Sequence, residues 1–77
     1  MNIDNINQLI ELIQLKETGS PKELALKLNV SKRMIYMYID LLKEEFNAPI
    51  EYNKKEQSYC FSEKGRLNLK WIPGPKK

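Results

Sequence analysis

The side chains in this sequence that could do chemistry are few, and most are cationic or aromatic. Lys32 and Arg33 are adjacent, as are Lys54 and Lys55, and Tyr36 and Met37 follow the first pair by about one helical turn. Groups of this kind bind polyanions and surfaces. Tyrosines and carboxylates can also do acid–base work, so an enzyme is not strictly excluded by them. The chain has no histidine and a single cysteine, Cys60. A thiol nucleophile would lack its usual imidazole base. A zinc site would lack further ligands around Cys60. No disulfide can close within one chain. The glycines, Gly19, Gly65 and Gly74, are too far apart to form a phosphate-cradling loop. The expectation is no enzyme, with no catalytic residue, no metal and no cofactor. Cys60 reads as a small filler on the second face of a hairpin.

The charge that remains is unevenly spread. The net charge is +3, but residues 1–20 carry −2, residues 21–47 carry +1 and residues 48–77 carry +4. A polyanion partner fits this gradient, and so does an ordinary lysine-rich solvated surface. At 77 residues and 42% apolar content the chain holds one small domain. That domain is expected over residues 1–72, with residues 73–77 as a flexible basic tail. The longest apolar run, Met34 to Ile39, falls far short of the about 20 residues that span a membrane. Met1 is followed by Asn and Asp rather than by a signal peptide, so the start reads as cytoplasmic.

The elements that must position these groups follow from periodicity. Ile6, Leu9, Ile10 and Ile13 recur at helical spacing within a first helix from about Ile3 to Glu17, with Leu12 and Leu15 widening the stripe. Gly19 suits the position just past its end. Ser20, Pro21 and Glu23 form a capping box with proline at the first helical position. The second helix ends near Leu28, its inner face marked by Leu24, Ala25 and Leu28. Asn29 suits the left-handed residue of a tight turn, and Val30 is its apolar plug. Ser31 caps a third helix that reaches about Glu45. Ile35, Ile39, Leu42 and Phe46 form its core face, and Lys32, Arg33, Tyr36, Met37, Asp40 and Lys43 lie opposite. After Pro49 the period falls to 2. Ile50 and Tyr52, then Tyr59 and Phe61, mark a β-hairpin with one apolar face and a tip at Asn53 to Gln57. The alternation from Arg66 to Trp71 is compatible with a third, C-terminal strand, and Trp71 reads as a core or tail-packing residue. No internal repeat is present.

The fold class expected is therefore α+β, mainly α: a three-helix bundle with a helix-turn-helix, followed by a β-hairpin wing. A major groove about 12 Å wide admits one α-helix. The start of the third helix also offers free N–H groups and a positive dipole end to phosphate.

The residues from Leu24 to Leu42, L-A-L-K-L-N-V-S-K-R-M-I-Y-M-Y-I-D-L-L, resemble the winged helix-turn-helix of DeoR-type bacterial regulators and of regulators that carry a WYL sensor domain. Glu23, Leu24, Ala25, Leu28, Val30, Ser31, Arg33, Ile35, Tyr36, Ile39 and Leu42 match that pattern. Ala48 to Asn53 and the strand Ser58 to Phe61 resemble its wing. Met34 stands in place of the usual threonine, and Met37 and Tyr38 replace the usual Arg-Asp pair. The resemblance implies sequence-specific binding of double-stranded DNA in bacterial or phage transcription control. The helix at about 31–45 would enter the major groove, and the wing at about 50–61 would lie on the flanking backbone. The candidate DNA-binding residues are Lys22, Ser31, Lys32, Arg33, Tyr36, Met37, Lys54 and Lys55. No small-molecule effector domain and no membrane partner are expected. A homodimer or a partner protein is, with Arg66 to Ile72 or the first helix as the contact.

The alternative is a protein-interaction or dimerisation module that uses the winged-helix fold with little DNA binding. Met34, Met37 and Leu41 carry it, as a second apolar stripe on the third helix. Each candidate also has a plainer role open to it. Ser31 caps a helix, Arg33 pairs with Glu11 or Glu44, Tyr36 covers the helix surface, and Lys54 and Lys55 keep a hairpin tip soluble.

Overall fold

The computed structural model describes residues 3–68 and 70–74; for Ile3 and residues 66–68 and 70–73 it describes the backbone alone. Pro75, Lys76 and Lys77 of the expected tail lie outside the described residues. In chain order the elements are α1 (Ile3–Leu15), α2 (Pro21–Leu28), α3 (Lys32–Glu45), β1 (Ile50–Asn53), β2 (Ser58–Phe61), β3 (Gly65–Asn68) and β4 (Lys70–Pro73). The architecture is mainly helical α+β, three helices followed by an antiparallel hairpin, as in a winged helix.

The helix boundaries follow from local chemistry. Ser20 Oγ accepts from the Glu23 N–H at 3.2 Å, and Glu23 Oε1 accepts from the Ser20 N–H at 2.8 Å. Pro21 sits in the first turn, where its missing N–H costs nothing. Asn29 closes α2 in the left-handed region with φ 56°, and the Val30 N–H reaches back to the Ala25 carbonyl at 3.0 Å. Ser31 Oγ then accepts from the Met34 N–H at 3.1 Å and opens α3. At the end of α1 the left-handed residue is Lys16, with φ 57°, where Gly19 was expected. The Glu17 N–H bonds the Leu12 carbonyl at 3.0 Å, and α1 ends at Leu15, two residues before the expected Glu17. Gly19 is needed for a different reason. It has φ 73°, and a Cβ there would sit 2.9 Å from Glu23 Oε1.

Hydrogen bonding from the Ser20 backbone N–H first, and from the Ser20 side chain second, holds the Glu23 carboxyl below its ordinary pKa of 4.5. The group is ionised in the fold more readily than in the unfolded chain. Its contribution is therefore present above pH 4.5 and is lost as pH falls through the lowered value. Thermal melts of Glu23→Gln and the wild type are expected to separate at pH 7 and to converge towards pH 3.

The core lies between the three helices and the hairpin base. Leu9, Ile13, Leu24, Ala25, Leu28, Ile35, Ile39 and Leu42 are buried, joined by Ala48, Ile50 and Tyr59. Phe46 is half-buried against this core. Two expectations are corrected here. Leu15 does not widen the α1 stripe but is exposed, while Leu12 is half-buried. Tyr38 is buried, although it falls outside the arc assigned to the core.

The hairpin pairs Ile50 with Phe61, Glu51 with Cys60, Tyr52 with Tyr59 and Asn53 with Ser58. The apolar alternation thus fixed the register. Its second face is closed along β2, where Ser58 and Cys60 are buried as well, and open on β1 at Glu51. Among the described residues, none after Gly65 joins this sheet as a third strand. β3 and β4 pair with each other, Arg66 opposite Ile72 and Leu67 opposite Trp71, as a separate two-stranded sheet. The side chain of Trp71 and the dimer contact expected over Arg66 to Ile72 lie outside the described side chains.

Candidate nucleic-acid interface

α3 divides into two faces. Ile35, Tyr38, Ile39 and Leu42 are buried, which anchors the helix and fixes its rotation. Lys32, Arg33, Tyr36, Met37, Asp40 and Lys43 are exposed on the outward side. Tyr36 and Met37, at 46% and 54% exposure, are large apolar side chains left open there. Met34 is half-buried against the core, so the second apolar stripe is open at Met37 and not along its whole length.

The other candidates occupy neighbouring elements. Ser31 is exposed, and its hydroxyl is engaged in the α3 cap. Lys22 is exposed in the first turn of α2. Lys54 and Lys55 are exposed at the wing tip. The tip is ordered by Asn53, whose Oδ1 accepts from the Lys55 N–H at 2.9 Å and the Glu56 N–H at 3.1 Å. Gln57 completes the turn with φ 51°. Both lysines therefore project from a fixed backbone. Lys32, Arg33, Tyr36 and Met37 share one continuous helix face. Lys54 and Lys55 form a second cationic site on the hairpin, and Lys22 stands on a third element.

One group at this interface was not foreseen. Tyr52 and Tyr59 form an edge-to-face pair with ring centroids 5.1 Å apart. Burial pushes the Tyr59 phenol above its ordinary value of 10, and the nearby Tyr36, Tyr52 and Asp40 add to the shift. The exposed face of α3 thus meets the wing at a cluster of tyrosines. The sequence places Tyr52 and Tyr59 on one hairpin face by their period. That this face turns towards Tyr36 depends on how the wing docks.

The docking is set by a joint between the α1–α2 loop and β2. Thr18 Oγ1 accepts from the Tyr59 N–H at 2.8 Å, and Ser58 Oγ accepts from the Thr18 N–H at 3.0 Å. Both residues are fully buried. The Thr18 hydroxyl also lies 2.9 Å from the Gly19 carbonyl, and the Ser58 hydroxyl lies 2.8 Å from the Tyr59 carbonyl. The free edge of β2 is therefore satisfied by side chains rather than by a neighbouring strand.

Residues 5–56, about two-thirds of the chain, match the HTH domain family. The chain belongs to that family. An HTH domain is a DNA-binding module, so DNA is the partner and regulation the coarse role that membership supports. The matched segment runs from the first turn of α1 to the wing tip and contains all eight candidate residues. No curated protein and no solved structure matches the chain. Among the described residues of this HTH domain, no group of three His, Cys, Asp or Glu side chains is placed to hold a metal ion. No described helix is long and apolar enough to cross a membrane.

Proposed function

We propose that this HTH domain binds double-stranded DNA sequence-specifically, as a small bacterial or phage transcription regulator of the DeoR-like, WYL-associated type. The observation that carries this reading is the two-sided α3. Its inner face is buried, and its outer face presents Lys32, Arg33, Tyr36 and Met37 to solvent. In this reading α3 lies in the major groove with its N-terminus, near Ser31 to Arg33, against a phosphate. α2 and Lys22 brace it across the backbone. The wing tip, with Lys54 and Lys55, rests on the flanking phosphates. A single module of this size buries about 600–1,000 Å² on DNA. A homodimer or a partner protein would supply the rest of the affinity.

Selection from a random duplex pool tests this reading. The expected result is an enriched sequence, palindromic if the protein binds as a dimer, with affinity that falls steeply as salt rises. No enrichment, together with salt-insensitive binding, would overturn it. The exposed Met37 is the observation that favours the alternative, a protein-interaction module. That module would lose its partner or its self-association on Met37→Glu while keeping its fold.

A further inference from the structure

The outer face of α3 has a composition that narrows what it can read. Its 14 residues contain no Asn and no Gln. The two-point amide contact to adenine N6 and N7 is therefore not available from this helix. Phosphate contact is disfavoured in the middle of the face as well. Asp40 is exposed there, one turn beyond Tyr36 and Met37, and a carboxylate repels phosphate. The centre of the face thus suits the groove floor, with Lys32 and Arg33 towards one end. On that floor Asp40 can accept from a cytosine amine, and Arg33 can donate to a guanine. Tyr36 and Met37 have one apolar complement in a major groove, the thymine C5-methyl group.

Resting on the DNA-binding reading above, we propose that Tyr36 and Met37 recognise thymine by its C5-methyl group, so that this domain reads A·T pairs through thymine rather than through adenine. Tyr36 is exposed on this face, one position before Met37. Met37 is the more exposed of the two, and its flexible thioether adapts to a methyl without fixed polar geometry. The cationic flank at Lys32 and Arg33 favours a polyanionic groove over an apolar protein surface as the occupant.

The test uses the intact protein and a duplex selected from the random pool, made once with thymidine and once with deoxyuridine. The two duplexes differ only in the C5-methyl groups. Wild-type affinity is expected to fall about three- to fivefold for each thymine that is read. Met37→Ala should bind the two duplexes more nearly alike, whereas Arg33→Ala should weaken both and keep the difference. Equal, salt-sensitive wild-type binding of both duplexes would overturn methyl reading while leaving DNA binding intact. No enrichment from the pool would overturn both. Loss of self-association in Met37→Ala, with unchanged discrimination between the duplexes, would assign the face to protein contact and also overturn the inference.

Discussion

Thr18→Val is expected to destabilise this domain by about 2–4 kcal/mol, the largest effect of a near-isosteric substitution here. Valine fills the same space but cannot accept a hydrogen bond. The Tyr59 N–H, which bonds Thr18 Oγ1 at 2.8 Å, would face an apolar methyl inside the fold. Tyr59 lies opposite Tyr52, and its N–H points away from β1, so the hairpin ladder offers it no substitute. Ser58 Oγ would also lose its 3.0 Å hydroxyl neighbour. Leaving buried polar groups unsatisfied costs about 1–3 kcal/mol each. A chain of this length has only about 4–12 kcal/mol of stability in total. Equilibrium urea unfolding followed by far-UV circular dichroism measures the change. Thr18→Ser keeps the hydroxyl and should recover most of the loss. Ser58→Ala combined with Thr18→Val should cost less than the two single losses added, because each removes part of the same joint. A Thr18→Val midpoint equal to that of the wild type would show that the joint does not hold the wing.

That joint also marks where the sequence stops being informative. The α2 boundaries were legible because every group that sets them lies within a few residues. Ser20 and Glu23 cap each other, and Asn29 turns the chain. The hairpin register was legible because Ile50, Tyr52, Tyr59 and Phe61 must share a face. Thr18 and Ser58 are 40 residues apart, and a lone threonine and a lone serine carry no periodicity. Their pairing exists only once α1 has packed on β2. Tyr38 was missed for a related reason. At 100° per residue it falls about 40° beyond Leu42, outside a narrow core stripe. It is buried because the core of this fold reaches further round α3 than that stripe. The alternation from Arg66 to Trp71 satisfies one long strand and two short ones equally well. The pairing of Gly65 with Pro73 and of Asn68 with Lys70 chooses the second. The eight candidate binding residues were legible as exposed positions, since their helix and turn settings are local. The proximity of Tyr36 to Tyr59 was not, because it depends on where the wing docks.

Lys32→Ala combined with Arg33→Ala is expected to weaken binding to the selected duplex about a hundredfold or more. Both side chains are exposed at the start of α3, so the variant should keep the wild-type unfolding free energy within about 0.5 kcal/mol. The loss is assigned to the interface for that reason. A cation that reads a guanine contributes about 1–3 kcal/mol of discrimination. One that neutralises a phosphate contributes about one unit to the slope of log affinity against log salt. The double variant should therefore show both a shallower slope and a relaxed consensus in a repeated selection. The wing provides the contrast. Lys54→Ala with Lys55→Ala should weaken binding by a similar factor on every sequence and lower the slope by about one or two. The consensus should stay as it was, because backbone contacts carry no base information. A titration series across salt concentrations, run on the selected duplex and on a scrambled one, separates the two outcomes. Unchanged affinity and slope in both double variants would remove DNA from the outer face of α3 and from the wing together.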